Sequence, residues 1–170
     1  MPASLFLNGV FEAVLAEIDK VQKAHPETLC YLQPYDADRM VRLAESPPTA
    51  EYPMTLYVSL TDSLNTVRYR AKIVNWQDKR KMDQSEIEAV RAHLAKYQPN
   101  EKEGIYLSNV SGKECVNLIS VRNLKRLPYP FPVSRLIKTE GGTPLKDRTQ
   151  AGKWSYVEEL PDSVGMVAET

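Results

Sequence analysis

The chain has 170 residues, 42% hydrophobic and 26% charged, and its 22 Lys/Arg balance its 22 Asp/Glu. That length suits one compact domain with a single substantial core. The composition excludes a disordered chain, and no apolar run approaches the roughly 18 residues needed to cross a bilayer. Zero net charge points to no polyanionic partner, so the charge distribution along the chain carries more than its total.

The first nine residues, Met1 to Gly9, hold neither a basic stretch nor a sustained apolar run, so no secretory signal is read and the cytoplasm is the expected compartment. From Asn8 to about His25, Val10, Phe11, Val14, Leu15, Ile18 and Val21 recur at helical spacing, with Asn8 placed to cap the helix and Pro26 beyond its end. Leu29 to Gln33 reads as a short strand that Pro34 breaks, and Asp36 can cap a second helix carrying Met40, Val41 and Leu43. Met54–Thr61 and Thr66–Trp76 form a predicted hairpin around the turn cluster 62–65. A third helix runs from Ser85 to about Tyr97, capped by Ser85 or Asp83. Strands follow at Gly104–Leu107 and Cys115–Leu124. The prolines of 127–132 cannot donate to a regular ladder, so that segment is an extended edge or a surface strap. A last strand covers Trp154–Leu160, and 161–170 is expected as a mobile tail after a single domain of residues 1–160.

This order of hairpins with interspersed helices lacks strict βαβ alternation. The expected fold is α+β: a small, curved, mainly antiparallel sheet or pseudo-barrel with flanking helices.

Charge is uneven along this order. Residues 1–65 carry four Lys/Arg against nine Asp/Glu, whereas 66–82 carry six against Asp78 alone. Residues 115–140 add five cations, among them Arg122, Lys125 and Arg126, against Glu140, and the two basic segments can lie together as strands of one sheet. Alternation along 67–73 places Arg68, Arg70 and Lys72 on one face and Val67, Tyr69, Ala71 and Ile73 on the other, with Lys79, Arg80 and Lys81 beyond the strand end. Either the cationic face is solvated, or it meets a nucleic acid, whose phosphates need Lys/Arg and whose unstacked bases need aromatic surfaces such as Tyr57 or Trp76.

Other chemistry is thinly represented. Nucleophile-elbow and nucleotide-loop motifs are missing, which lowers the expectation of an enzyme. Cys30 and Cys115, each in an apolar run, read as reduced buried thiols. With only His25 and His93 besides, both read as surface groups, there is no metal-ligand spacing, and neither metal nor cofactor is expected. The carboxylates Glu86, Glu88, Glu158 and Glu159 read as solvated.

The hairpin of 54–76, the following helix and the later run from Val116 to Leu136, with its Lys125-Arg126-Leu127-Pro128 segment, resemble the PUA-like superfamily, especially its EVE and ASCH branches, over about residues 29–160. The resemblance implies a compact barrel whose pocket takes a modified or flipped base of DNA or RNA. The leading expectation is a non-catalytic nucleic-acid-binding module using Arg68, Arg70, Lys72, Lys79, Arg80, Tyr57 and Trp76. The alternatives are a protein-interaction subunit of a larger defence or mobile-element system, and a small hydrolase of the ASCH kind acting on a modified nucleoside, in which a lysine and a carboxylate must converge.

Overall fold

The computed structural model describes residues 3–34, 40, 43, 45–101, 105, 109–110, 113–114, 116–147 and 153–168. The chain is α+β. Strands β1 (Ala3–Val10), β2 (Cys30–Leu32), β3 (Met54–Leu60), β4 (Thr66–Asp78), β7 (Asn117–Pro132) and β8 (Lys153–Glu158) form one open sheet in the order β2-β7-β4-β3-β1-β8. Every neighbouring pair is antiparallel except β1 with β3. A separate two-stranded ribbon pairs β5 (Asn109–Val110) with β6 (Lys113–Glu114), and the helices are α1 (Glu12–Ala24) and α2 (Gln84–Tyr97). Among the described residues no helix is long and apolar enough to cross a membrane. The expected second helix at 36–43 and the strand at 104–107 lie largely outside the described residues, as does Cys115.

The sheet is buried on both faces, and this explains the largest departure from the sequence reading. Leu5 and Leu7 of β1 enter one apolar cluster with Leu56, Val58, Tyr69, Ala71, Ile73 and Val121, covered by Val14, Leu15 and Ile18 of α1. Phe6 faces the opposite way into a second cluster with Tyr57, Val67, Phe131 and Val157, covered by Val133, Leu136, Leu145 and Val164. A strand buried on both sides shows no alternation, so residues 3–10 form β1 where the helical spacing predicts a helix from Asn8. Asn8 is thus not the N-cap of the helix: it is buried in β1, while the helix begins after Phe11, which contributes no side-chain cap.

Residues of α2, Val90 and Leu94, pack with Leu118 and Ile105 in a third, smaller cluster. Asp83 and Glu86 form a reciprocal capping box at its start, as the sequence pattern implies. His93 is half-buried rather than a surface group, bonded through Nε2 to the Leu29 carbonyl at 2.8 Å and edge-on to Tyr31.

Irregular pairing curls the sheet. β4 and β7 pair over almost their full lengths, but the register shifts between Val67 and Tyr69, Arg70 and Lys72, and Ile73 and Asn75. The first shift sends Val67 to the face opposite Tyr69, against simple alternation. At the second, Asn123 of β7 adopts φ 55, a left-handed conformation that Asn tolerates better than most residues. Buried Gln22 of α1 bridges the kink, donating to the Val121 carbonyl at 3.0 Å and accepting from the Leu124 amide at 3.0 Å.

The proline segment runs as an extended strand end, pairing with β4 at Val67–Phe131 and Thr66–Pro132. Of the segment expected as a mobile tail, residues 161–168 are described, and its middle docks there. Tyr129 donates its amide to the Gly165 carbonyl at 3.0 Å, and Val164 is buried. Gly165 has φ 82, a left-handed conformation that favours glycine, and a Cβ on it would press on the Leu127 side chain, 2.9 Å from Cδ1.

Edge strand β2 is closed by a side chain. Gln98, fully buried just past α2, accepts from the Tyr31 amide at 2.8 Å and donates to the Tyr31 carbonyl at 2.8 Å, imitating a neighbouring strand. Replacing Gln98 with Ala leaves both Tyr31 groups without that partner, and urea denaturation should show a loss of about 1–3 kcal/mol.

Candidate functional site

The seven residues singled out from the sequence do not form one exposed patch. Arg70 is buried, its guanidinium donating to the carbonyls of Pro161 (3.2 Å) and Leu160 (3.4 Å) and to Asp162 Oδ1 (2.6 Å) while lying 5.4 Å from the Tyr57 ring centre. Lys72 donates to Thr55 Oγ1 at 2.8 Å and to Glu159 Oε1 at 3.4 Å, so Glu159 is engaged rather than solvated. Arg68 is half-buried. The predicted cationic face is thus real for Arg70 and Lys72, but the segment after β8 covers it.

The other four meet neighbours of their own. Arg80 grips Asp78 through two bonds, at 3.0 Å and 2.7 Å, and its hydrogen bonds hold the Asp78 carboxyl below the usual carboxylate range. Lys79 is 2% exposed, its Nζ donating to Gln33 Oε1 at 2.9 Å. Tyr57 is a core side chain at 1% exposure, its hydroxyl accepting from the Leu160 amide, and therefore no stacking surface. Trp76 packs against the first cluster and donates its indole N–H to Asn117 Oδ1 at 2.9 Å.

Strand pairing does unite the two basic segments, as their charge suggested. Arg70 stands opposite Lys125 and Lys72 opposite Arg122 across the β4–β7 ladder. Like charges directly opposed are unfavourable. Asp162 and Glu159 relieve the β4 pair; Lys125 is exposed and makes no ion pair among the described residues. Lys125 lies between two clefts, one of about 190 Å³ toward Arg70 and Lys72, the other of about 410 Å³ toward Gln22 and Lys23 of α1. Next to it, Arg126 lies 5.8 Å from the Tyr69 ring centre and donates to Glu12 Oε1 at 2.8 Å.

Glu12 opens α1, so that ion pair ties the β7 cations to the turn between β1 and α1, where a cavity of about 40 Å³ lies. Its walls include Leu7, Val14 and Leu32, with Phe11, 54% exposed, at the rim. In a flat sheet β1 and β2 would stand roughly 19 Å apart with three strands between them, so their shared cavity requires the curl. Gly9, at φ 93, sits at the register shift near the end of β1, and its amide donates to Ser59 Oγ at 2.8 Å. Ser59 in turn donates to Asn8 Oδ1 at 2.7 Å.

The polar end of the cavity is Gln33 and Glu101. Gln33 accepts from Lys79 and donates to both the Glu101 carbonyl and Glu101 Oε2, each at 3.0 Å. Burial pushes the Glu101 carboxyl up to about 7 against the opposing effects of Gln33 and Lys79, with Glu17 adding to the rise. Sequence reasoning missed this site. Phe11 fits a helix stripe, and Glu101 sits in the charged run Asn100-Glu101-Lys102-Glu103, which looks like solvated loop. No family model, curated protein or solved structure matches the chain.

The raised carboxyl has a consequence for stability. A native state that keeps the Glu101 proton up to about pH 7, where the unfolded chain releases it near 4.5, is favoured most below that lower value. The contribution, up to about 3 kcal/mol, is lost as pH rises through 7. Thermal melts from pH 4.5 to 8 should show a steeper decline for the native chain than for Glu101→Gln, which has no such proton to lose.

Proposed function

We propose that the protein binds single-stranded nucleic acid, with phosphates on Lys125 and Arg126 and a base against Phe11 at the mouth of the β1–α1 cavity. The observation that carries this is a chain of neighbours: Phe11 at the rim of the cavity precedes Glu12, Glu12 pairs with Arg126, and beside Arg126 stands exposed Lys125, which makes no ion pair among the described residues. Backbone neutralisation and ring stacking are the two requirements for holding an unstacked strand. The PUA-like resemblance, with its base-accepting pocket, supports this reading, although the sheet is open rather than the closed barrel that the resemblance implies. The binding surface moves from β4 to β7 and the β1–α1 turn.

Fluorescence anisotropy with a labelled ten-nucleotide strand tests this between 50 and 200 mM salt. Lys125→Ala with Arg126→Ala should weaken binding and flatten the logarithmic salt slope by about 1.4, from two lost phosphate contacts. Phe11→Ala should weaken it by about 1–3 kcal/mol. An affinity indifferent to all three substitutions, or none at 50 mM salt, refutes the proposal.

The approach of Lys79 and Glu101 to one another through Gln33 favours a second reading, hydrolysis of a modified nucleoside as in the ASCH branch. It requires release of free nucleoside from an acylated one, abolished by Glu101→Gln. A native chain that releases none rules hydrolysis of acylated nucleosides out.

A further inference from the structure

Hydrogen-bond capacity at the polar end of the β1–α1 cavity is almost consumed by the chain itself. Gln33 is engaged at both ends: its oxygen accepts from the Lys79 ammonium, and its amide nitrogen serves the Glu101 carbonyl and Oε2. Asn8 Oδ1, on the cavity wall, already accepts from Ser59 and from the Asn65 amide at 3.2 Å. Glu101 Oε1 accepts no hydrogen bond from the described residues, and no ion pair among them includes Glu101. An ionised carboxylate is an acceptor only, so Glu101 Oε1 calls for a donor.

We infer that the cavity reads an N–H donor on the ligand, and therefore, resting on the nucleic-acid reading above, selects bases with an exocyclic amino group over thymine or uracil. Glu101 Oε1 accepts from that amino group. Thymine and uracil carry their one imide N–H between two carbonyl oxygens, which would face the carboxylate and be repelled. At about 40 Å³ the cavity has room for a ring edge and not for a whole base, leaving the ring face to Phe11 at the rim. Selectivity then depends on one carboxyl group rather than on fit.

The groups facing that carboxyl are Gln33, Lys79 behind Gln33, and Glu17. Protonation removes the charge of Glu101 and gives it an O–H donor in place of part of its acceptor capacity, so discrimination should strengthen as pH rises from 6 to 8.

The test uses the whole chain and five-nucleotide strands of thymidine with dA, dC or dT at the centre, measured by anisotropy at 50 mM salt. At pH 8 the dA and dC strands should bind about tenfold or more tightly than all-thymidine, the worth of one hydrogen bond to a charged group. That ratio should shrink at pH 6 and fall near one in Glu101→Gln. Equal binding of all three strands, or a preference that survives the substitution at an unchanged melting temperature, overturns this inference while leaving nucleic-acid binding in place. Should the variant fail to fold, a preference that does not change between pH 6 and 8 in the native chain overturns it equally. Failure of every strand to bind refutes the underlying proposal instead.

Discussion

Everything else in this molecule leans on the antiparallel pairing of β4 with β7. The two strands run side by side from Thr66–Pro132 to Asp78–Asn117, and β2, β3 and β8 join a sheet whose backbone they define. Uninterrupted, a pair that long would give a broad sheet with only its own twist. Three register shifts bend it instead, and the bend brings β2 round toward β1. Without that curvature the β1–α1 turn, Gln33 and Glu101 would belong to separate parts of the surface.

Holding a bent, doubly covered sheet together falls to a few buried polar side chains. Gln22 satisfies backbone groups that the kink at Asn123 withdraws from the ladder, and Gln98 does the same for the open edge of β2. Arg70 gathers the carbonyls of Leu160 and Pro161, so a strand cation that would otherwise face water anchors the segment closing the second cluster. In each case a long side chain replaces the missing strand partner, because a buried backbone group left without a bond costs more than ordering one side chain.

The same construction explains how legible the site was. The hairpin of β3 and β4 and the helix α2 were readable because their signals are local: a turn cluster between strand formers, and a capping box before an apolar period. The joining of two basic segments was readable as well, since both looked like strands. Hidden were the partners. That Asp162 and Glu159 would settle on Arg70 and Lys72, separations of 92 and 87 residues, leaves no mark near either cation. Glu101 shows the reverse: its neighbours in sequence are charged and polar, yet folding places it among apolar walls beside Gln33 and Lys79.

By itself the sequence determined the α+β class, the boundaries of the β3–β4 hairpin and α2, and the gathering of cations into two strands, because period, capping and composition are properties of neighbouring residues. Only the tertiary structure decided that β1 is a strand, which cations stay free and where a cavity opens. Those outcomes turn on which surfaces cover one another after the sheet curls, and burial of that kind is set by residues far apart in the chain.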